Sequence, residues 1–241
     1  MTRVISFALG TLWRWGKSQN RNDLIKYVKE LKIDGVEITF SSKEQLYKFK
    51  LSKENEKWLK NLDYVTIHAP FKLVGKKYNK KEIIEQLKII AKLYKQVNAK
   101  NVIIHPKDLP PPDILNKFNF KVSTENLVKK KKVTIADLRK IFRRYPKIGL
   151  CLDVSHAYLW SKHETLKLIK AFEEKITQVH LSGTYRKKDH QSLRVVSKDF
   201  IFSIKPIFKL KVPIVIEEDM KIKSKKFVYD EVNFIKNMFE K

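Results

Sequence analysis

Short β-rich apolar runs alternate with longer amphipathic stretches along the whole sequence, its length of 241 residues suits one such array closed on itself, and no Gly/Ser-rich linker divides it. These three observations predict an α/β fold, a single (β/α)8 TIM barrel over residues 1–241 whose parallel strands are covered by helices.

The expected strands are Val4–Leu9, Gly35–Phe40, Tyr64–His68, Asn101–His105, Lys121–Glu125, Gly149–Asp153, Thr177–Leu181 and Pro213–Glu217. None shows strict polar alternation, which fits strands buried on both faces. The clearest helix runs from Lys80 to Val97, where Ile83, Ile84, Leu87, Ile90, Ala91 and Tyr94 share one face among lysines. A second starts at Thr134, with Asp137 placed for a capping box. The last spans Asp230–Phe239 and packs Val232, Ile235 and Phe239 against the sheet. Pro110, Pro111 and Pro112 exclude a helix from Asp108–Asp113, Tyr185–His190 reads as a polar basic loop, and Lys129–Lys132 as a solvated turn.

Composition narrows the function classes. No apolar run is long enough to span a membrane, and Met1–Leu12 reads as a first strand rather than a signal peptide. The single cysteine, Cys151, sits in an apolar run and is expected to be a buried small hydrophobe, consistent with a reducing, cytoplasmic location. The net charge of +26, from 52 basic and 26 acidic residues, favours a polyanionic partner; a generally lysine-rich composition accounts for it equally well. No zinc finger, Gly-rich phosphate loop or Ser/His/Asp order is present, and no obligate protein partner is evident.

Chemistry in such a barrel gathers where the strands end. Those ends carry His68, His105, Glu125, Asp153 followed by His156, His180 and Glu217, and the loop after the seventh strand adds Asp189 and His190. Five of the six histidines fall at these positions; only His163 lies apart, at the start of a helix. One histidine after a strand is usually a satisfied core group. Three carboxylates and several imidazoles converging on one mouth need a cation, and these donors suit zinc and its neighbours.

The segments HAPF, NVIIHP, STENL, LDVSHAY, VHLSG and VIEE, across residues 60–220, resemble the xylose-isomerase-like superfamily and within it the endonuclease IV branch, which cuts DNA at abasic sites. The resemblance implies two or three Zn2+ ions, with Mn2+ a possible substitute. His68 and His105 would hold the first; Asp153, His180 and Glu217 the second; Glu125 would bridge these two; His156 and His190 would hold the third, with Asp189 as its carboxylate. Asp189 directly precedes His190, where the family has Asp-x-His and a Gly-rich turn. DGVEITF (Asp34–Phe40) instead looks like the sugar-isomerase branch.

Three functions follow. The favoured one is a metal-dependent phosphodiester hydrolase acting on abasic duplex DNA, in which a metal-bound hydroxide attacks phosphorus, Glu125 and Glu217 are catalytic, and Arg186, Lys187, Lys188 and Arg194 contact phosphates. The alternative is a sugar or sugar-phosphate isomerase or epimerase using one divalent metal, with the two glutamates moving a proton. A non-enzymatic nucleic-acid binder is disfavoured by the complete ligand set. Trp13 and Trp15 read as rim or core packing rather than as a stacking platform.

Overall fold

The computed structural model describes residues 3–13, 20–75 and 78–239; Trp15 lies outside the described residues. Its strands are β1 (Ile5–Ala8), β2 (Gly35–Thr39), β3 (Tyr64–His68), β4 (Asn101–Ile103), β5 (Val122–Glu125), β6 (Gly149–Asp153), β7 (Ile176–Leu181), β8 (Gly183–Tyr185), β9 (Lys188–Gln191) and β10 (Ile214–Ile216). All but β8 and β9 pair in parallel to close an eight-stranded barrel, sealed where Ile5 faces Ile214 and Phe7 faces Ile216. Each expected strand is therefore present, although β4 stops at Ile103 and β10 at Ile216, leaving His105 and Glu217 just past their ends.

The helices are α1 (Arg21–Val28), α2 (Lys43–Lys48), α3 (Lys53–Lys60), α4 (Lys80–Gln96), α5 (Pro112–Leu115), α6 (Ile135–Arg144), α7 (Val154–Tyr158), α8 (Glu164–Phe172), α9 (Lys198–Ile204) and α10 (Lys225–Phe239). Short polar side chains start several of them. Ser42, Ser52, Asn79 and Ser197 each accept a hydrogen bond from a first-turn N–H, and Thr134 with Asp137 forms the full capping box. The α4 stripe buries Ile83, Leu87, Ile90 and Leu93. Each such side chain stabilises the fold by about 1.5–3 kcal/mol relative to exposure.

Two loop expectations fail. The proline run does not exclude a helix, because α5 begins at Pro112. At the first helical position a proline forfeits no intrahelical hydrogen bond, and its fixed φ suits the helix. The segment Tyr185–His190 is not an open loop but most of an antiparallel hairpin, β8 to β9. Arg186 (φ 48°) and Lys187 (φ 60°) fill its two-residue turn. Both adopt the left-handed conformation that a tight hairpin demands and that Asn-Gly usually supplies, so the sequence carries no hairpin signal there. Lys129–Lys131 is a single 3-10 turn, as the charge run suggested.

Strand parity aims the chemistry. Thr66 and His68, Ser123 and Glu125, Cys151 and Asp153, and Gln178 and His180 are pairs two residues apart, so each pair shares the inward face. The residues between them, such as Ile67, Leu152 and Val179, belong to the core under the helices. The barrel interior is thus partly polar: Asn101 donates to Ser123 (2.9 Å), which lies 2.7 Å from Thr177.

Close strand approach gives a stability test. A Cβ built on Gly35 would lie 2.1 Å from the Tyr64 carbonyl oxygen, a backbone atom fixed in the ladder. Gly35→Ala is expected to destabilise by about 3 kcal/mol, the upper end of overpacking costs. The check is the urea midpoint, which falls at unchanged slope if the fold is retained; an unchanged midpoint contradicts the packing.

Candidate metal centre

Glu125 ends β5 at the barrel axis and is 1% exposed. Four imidazoles surround it. His105 Nε2 lies 3.1 Å from Oε2 and His180 Nδ1 lies 2.9 Å from Oε1, while His68 Nε2 and His156 Nδ1 stand 3.9 Å away. His68 ends β3, His105 caps a 3-10 turn after β4, and His180 sits in β7.

Asp153 and His156 are placed by one local device. Asp153 ends β6 and N-caps α7, where its Oδ1 accepts from the His156 N–H (2.7 Å) and from Ser155 (2.9 Å). This turns His156 back over the mouth and leaves Asp153 Oδ2 free. Asn126, immediately after Glu125, locks the two strand ends together: its amide donates to the Asp153 carbonyl and accepts from the Asp153 N–H, both at 2.8 Å. Asn126 is a buried positioning residue that sequence reasoning missed, since its role depends on a neighbour across the sheet.

The hairpin supplies the remaining donors. His190 Nδ1 donates to the Glu217 carbonyl (2.8 Å), and the Asp219 N–H donates to the His190 carbonyl (2.7 Å), tying β9 to the segment after β10. Asp189 Oδ2 stands 3.6 Å from His156 Nε2, and the His156 and His190 rings meet edge to face. Below, Glu218 and Glu231 are both buried; Glu218 accepts from the Leu193 N–H and Glu231 from the Ser192 hydroxyl, which anchors the chain leaving the hairpin.

Ligand-competent tautomers are built in. His68, His156 and His190 each donate Nδ1–H to a main-chain carbonyl, so each, when neutral, carries its lone pair on Nε2. The donor atoms fall into four overlapping groups: His68, His105 and Glu125; Glu125, Cys151 and His180; Glu125, Asp153, His180 and Glu217; and Asp153, His156 and His190. Asp153 Oδ2 and Glu217 Oε2 are buried with no hydrogen-bond donor among the described residues, although Glu217 Oε2 is 2.8 Å from His180 Nδ1. Orphaned carboxylate oxygens beside imidazole nitrogens fit a divalent cation. These clusters could hold a metal.

Charge pairing governs the titrations. Burial opposes ionisation of Glu125, but the neighbouring imidazoles of His105, His180 and His68 hold it well below the usual carboxylate range. Burial likewise opposes ionisation of Glu217, which His180 and His190 bring down to about 2. Burial pushes Asp153 up. For the imidazoles burial acts downward and is outweighed by neighbouring acidic groups, so His68 and His190 rise to about 9, and His180, beside Cys151, Glu217 and Glu37, rises well above its ordinary value.

A cavity of about 700 Å³ adjoins this centre, lined among others by His68, Phe71, His190, Glu217, Trp13 and Phe40. Trp13 stands at its rim, half exposed, with its indole N–H donating to Asp219, and Phe71 stacks on His105 at 4.9 Å. Of the four basic residues expected to meet phosphate, only Lys188 lines the cavity. Arg186 stacks on Tyr185 at the hairpin tip, Lys187 is its exposed turn partner, and Arg194 lies 3.9 Å from Glu231. Arg21 and Lys221 line the cavity and had no sequence signal.

The xylose isomerase-like TIM barrel family matches residues 25–209, and the chain belongs to that family. Solved structures share the fold across nearly the whole chain. Endonuclease IV from Thermus thermophilus is 17% identical, with a TM-score of 0.66 over 98% of this chain and 97% of that one. D-allulose 3-epimerase from Methylomonas sp. in complex with D-allulose is 13% identical, with a TM-score of 0.67 over 98% of each chain. A D-tagatose 3-epimerase-like protein is 15% identical, with a TM-score of 0.67 over 99% of this chain and all of that one. Identities this low establish the fold alone. A search of curated proteins finds no match. Among the described residues no helix is long and apolar enough to cross a membrane.

The raised histidines set a sign for pH dependence. In metal-free protein His68 and His190 rise from 6.5 to about 9, so their contribution to stability is complete below pH 6.5 and is lost as pH rises to 9. A cation needs these imidazoles unprotonated, so stabilisation by added zinc is expected to grow across the same window. Urea titrations from pH 6.5 to 9 should show stability falling with chelator and staying nearly level with saturating zinc; parallel slopes would contradict the assignment.

Proposed function

We propose that the chain is a metal-dependent phosphodiester hydrolase resembling endonuclease IV, acting on DNA at abasic sites. The supporting observation is that the donor groups overlap through shared carboxylates, Glu125 and Asp153. A one-metal sugar site would use Glu125, Asp153, His180 and Glu217, with His156 against the substrate, and would leave His68, His105 and His190 as pocket lining.

Divalent ions held there, zinc or manganese, would activate water and neutralise phosphoryl charge. His68 and His105 offer two imidazoles beside Glu125. His180, Asp153 and Glu217 offer a deeper set, and His156, Asp189 and His190 a set at the rim. Glu125, held by His105 and His180, would be shared by the first two positions. Lys188 and Lys221 on the cavity wall, with Arg186 and Lys187 on the hairpin, would take the flanking phosphates.

The cavity volume favours a second reading. About 700 Å³ suits a small ligand, and a sugar or sugar-phosphate epimerase would place its substrate there beside a single metal.

The deciding experiment incubates the protein with zinc or manganese on a duplex carrying one abasic site. Cleavage 5′ to the site is expected, reduced about a hundredfold or more in Glu125→Gln with little change in urea midpoint. Three or four phosphate contacts would weaken duplex binding roughly a hundredfold between 50 and 200 mM salt, less steeply in Arg186→Ala/Lys188→Ala. Absence of cleavage and of salt-sensitive binding, together with turnover of a ketose or aldose, would transfer the site to the second reading.

A further inference from the structure

Resting on the metal reading of the mouth, we infer that Glu37 is a positioning residue that fixes the tautomer of His180, so that Nδ1 presents its lone pair to the deeper cation position. His180 is oriented opposite to its neighbours. His68, His156 and His190 commit Nδ1–H to main-chain carbonyls. His180 instead turns Nδ1 to Glu125 (2.9 Å) and Glu217 (2.8 Å) and points Nε2 down the barrel.

Two groups of opposite character meet that buried Nε2. Glu37 Oε2, which can only accept from it, lies at 3.2 Å, and the Gln178 amide nitrogen, which can only donate, lies at 3.0 Å. If Nε2 carries the proton and donates to Glu37, Nδ1 is free to ligate. If Nε2 accepts from Gln178, the proton sits on Nδ1, facing Glu125 and Glu217, and the cation position is closed.

The surroundings favour the first arrangement. Glu37 is fully buried, and its Oε2 also accepts from Thr66 (2.9 Å) and from the Gln178 amide (3.0 Å). Tyr64 donates to Gln178 Oε1 (2.9 Å), which fixes the amide with its NH2 toward Glu37. A carboxylate in so dry a place is a stronger acceptor than any neutral rival, and its bond to the imidazole raises the basicity of Nδ1. Glu37, Thr66 and Gln178 do not line the cavity, so Glu37 acts through the imidazole it contacts, His180.

The test uses the full-length, zinc-loaded protein with 15N-labelled histidine. His180 should show a protonated Nε2 and a metal-bound Nδ1, while His68, His156 and His190 show the reverse. Glu37→Leu removes the acceptor and should weaken zinc 10–100-fold in chelator competition. Glu37→Gln keeps an acceptor oxygen and should restore affinity to within about tenfold of wild type by the same scale. An Nε2-bound His180, or Glu37→Leu with wild-type affinity, overturns the inference while leaving the metal reading intact; protein that takes up no zinc overturns both. If Glu37→Leu does not fold, the wild-type nitrogen signals decide.

Discussion

A carboxylate with no access to water is the constraint on which the centre depends. Glu125 is 1% exposed, and an unpaired charge there would cost several kcal/mol even after relaxation. The fold answers with four imidazoles from four different segments, two of which, His105 and His180, lie within hydrogen-bond distance of Glu125. That arrangement exists only when the barrel is closed, so the strand register that seats Glu125 opposite Cys151 also determines whether the site forms. The same crowding raises the histidines and depresses Glu125 and Glu217, leaving a nest of opposite charges held in place of an apolar plug.

Much of this was legible in the sequence because strand parity is simple. A polar residue that ends an apolar run in a parallel barrel points to the axis or the mouth, and His68, Glu125, Asp153 and His180 follow that rule. His156 was legible as well, since an aspartate N-cap returns the third helical residue toward the strand end. What escaped has physical reasons. Glu37 lies mid-strand in DGVEITF, and its inward face is evident only once Thr66 and Gln178 lie beside it. Asn126 works through a partner on the next strand. The hairpin was hidden because Arg186 and Lys187 occupy turn positions at which sequence patterns expect Asn-Gly. The start of α5 was hidden by treating Pro112 as a breaker, although at a helix's first position it is not.

The net charge of +26 divides into two parts. Lysines on the outer helix faces make scattered pairs such as Lys29–Glu54 and Lys60–Glu56, partly exposed contacts that add little stability. They still contribute to the positive field around the protein. Lys188 and Lys221 act locally, beside the donor clusters, and it is this placement that ties the charge to the proposed chemistry.

The central claim is that the barrel mouth binds more than one divalent cation, because its donor groups overlap rather than converge on a single point. The most direct measurement is the molar ratio of metal to chain, by elemental analysis after loading with zinc and removing the excess. The account predicts two or three ions per chain, falling by at least one in His68→Ala/His105→Ala protein that retains its fold; a ratio of one or none in the wild-type chain would contradict it.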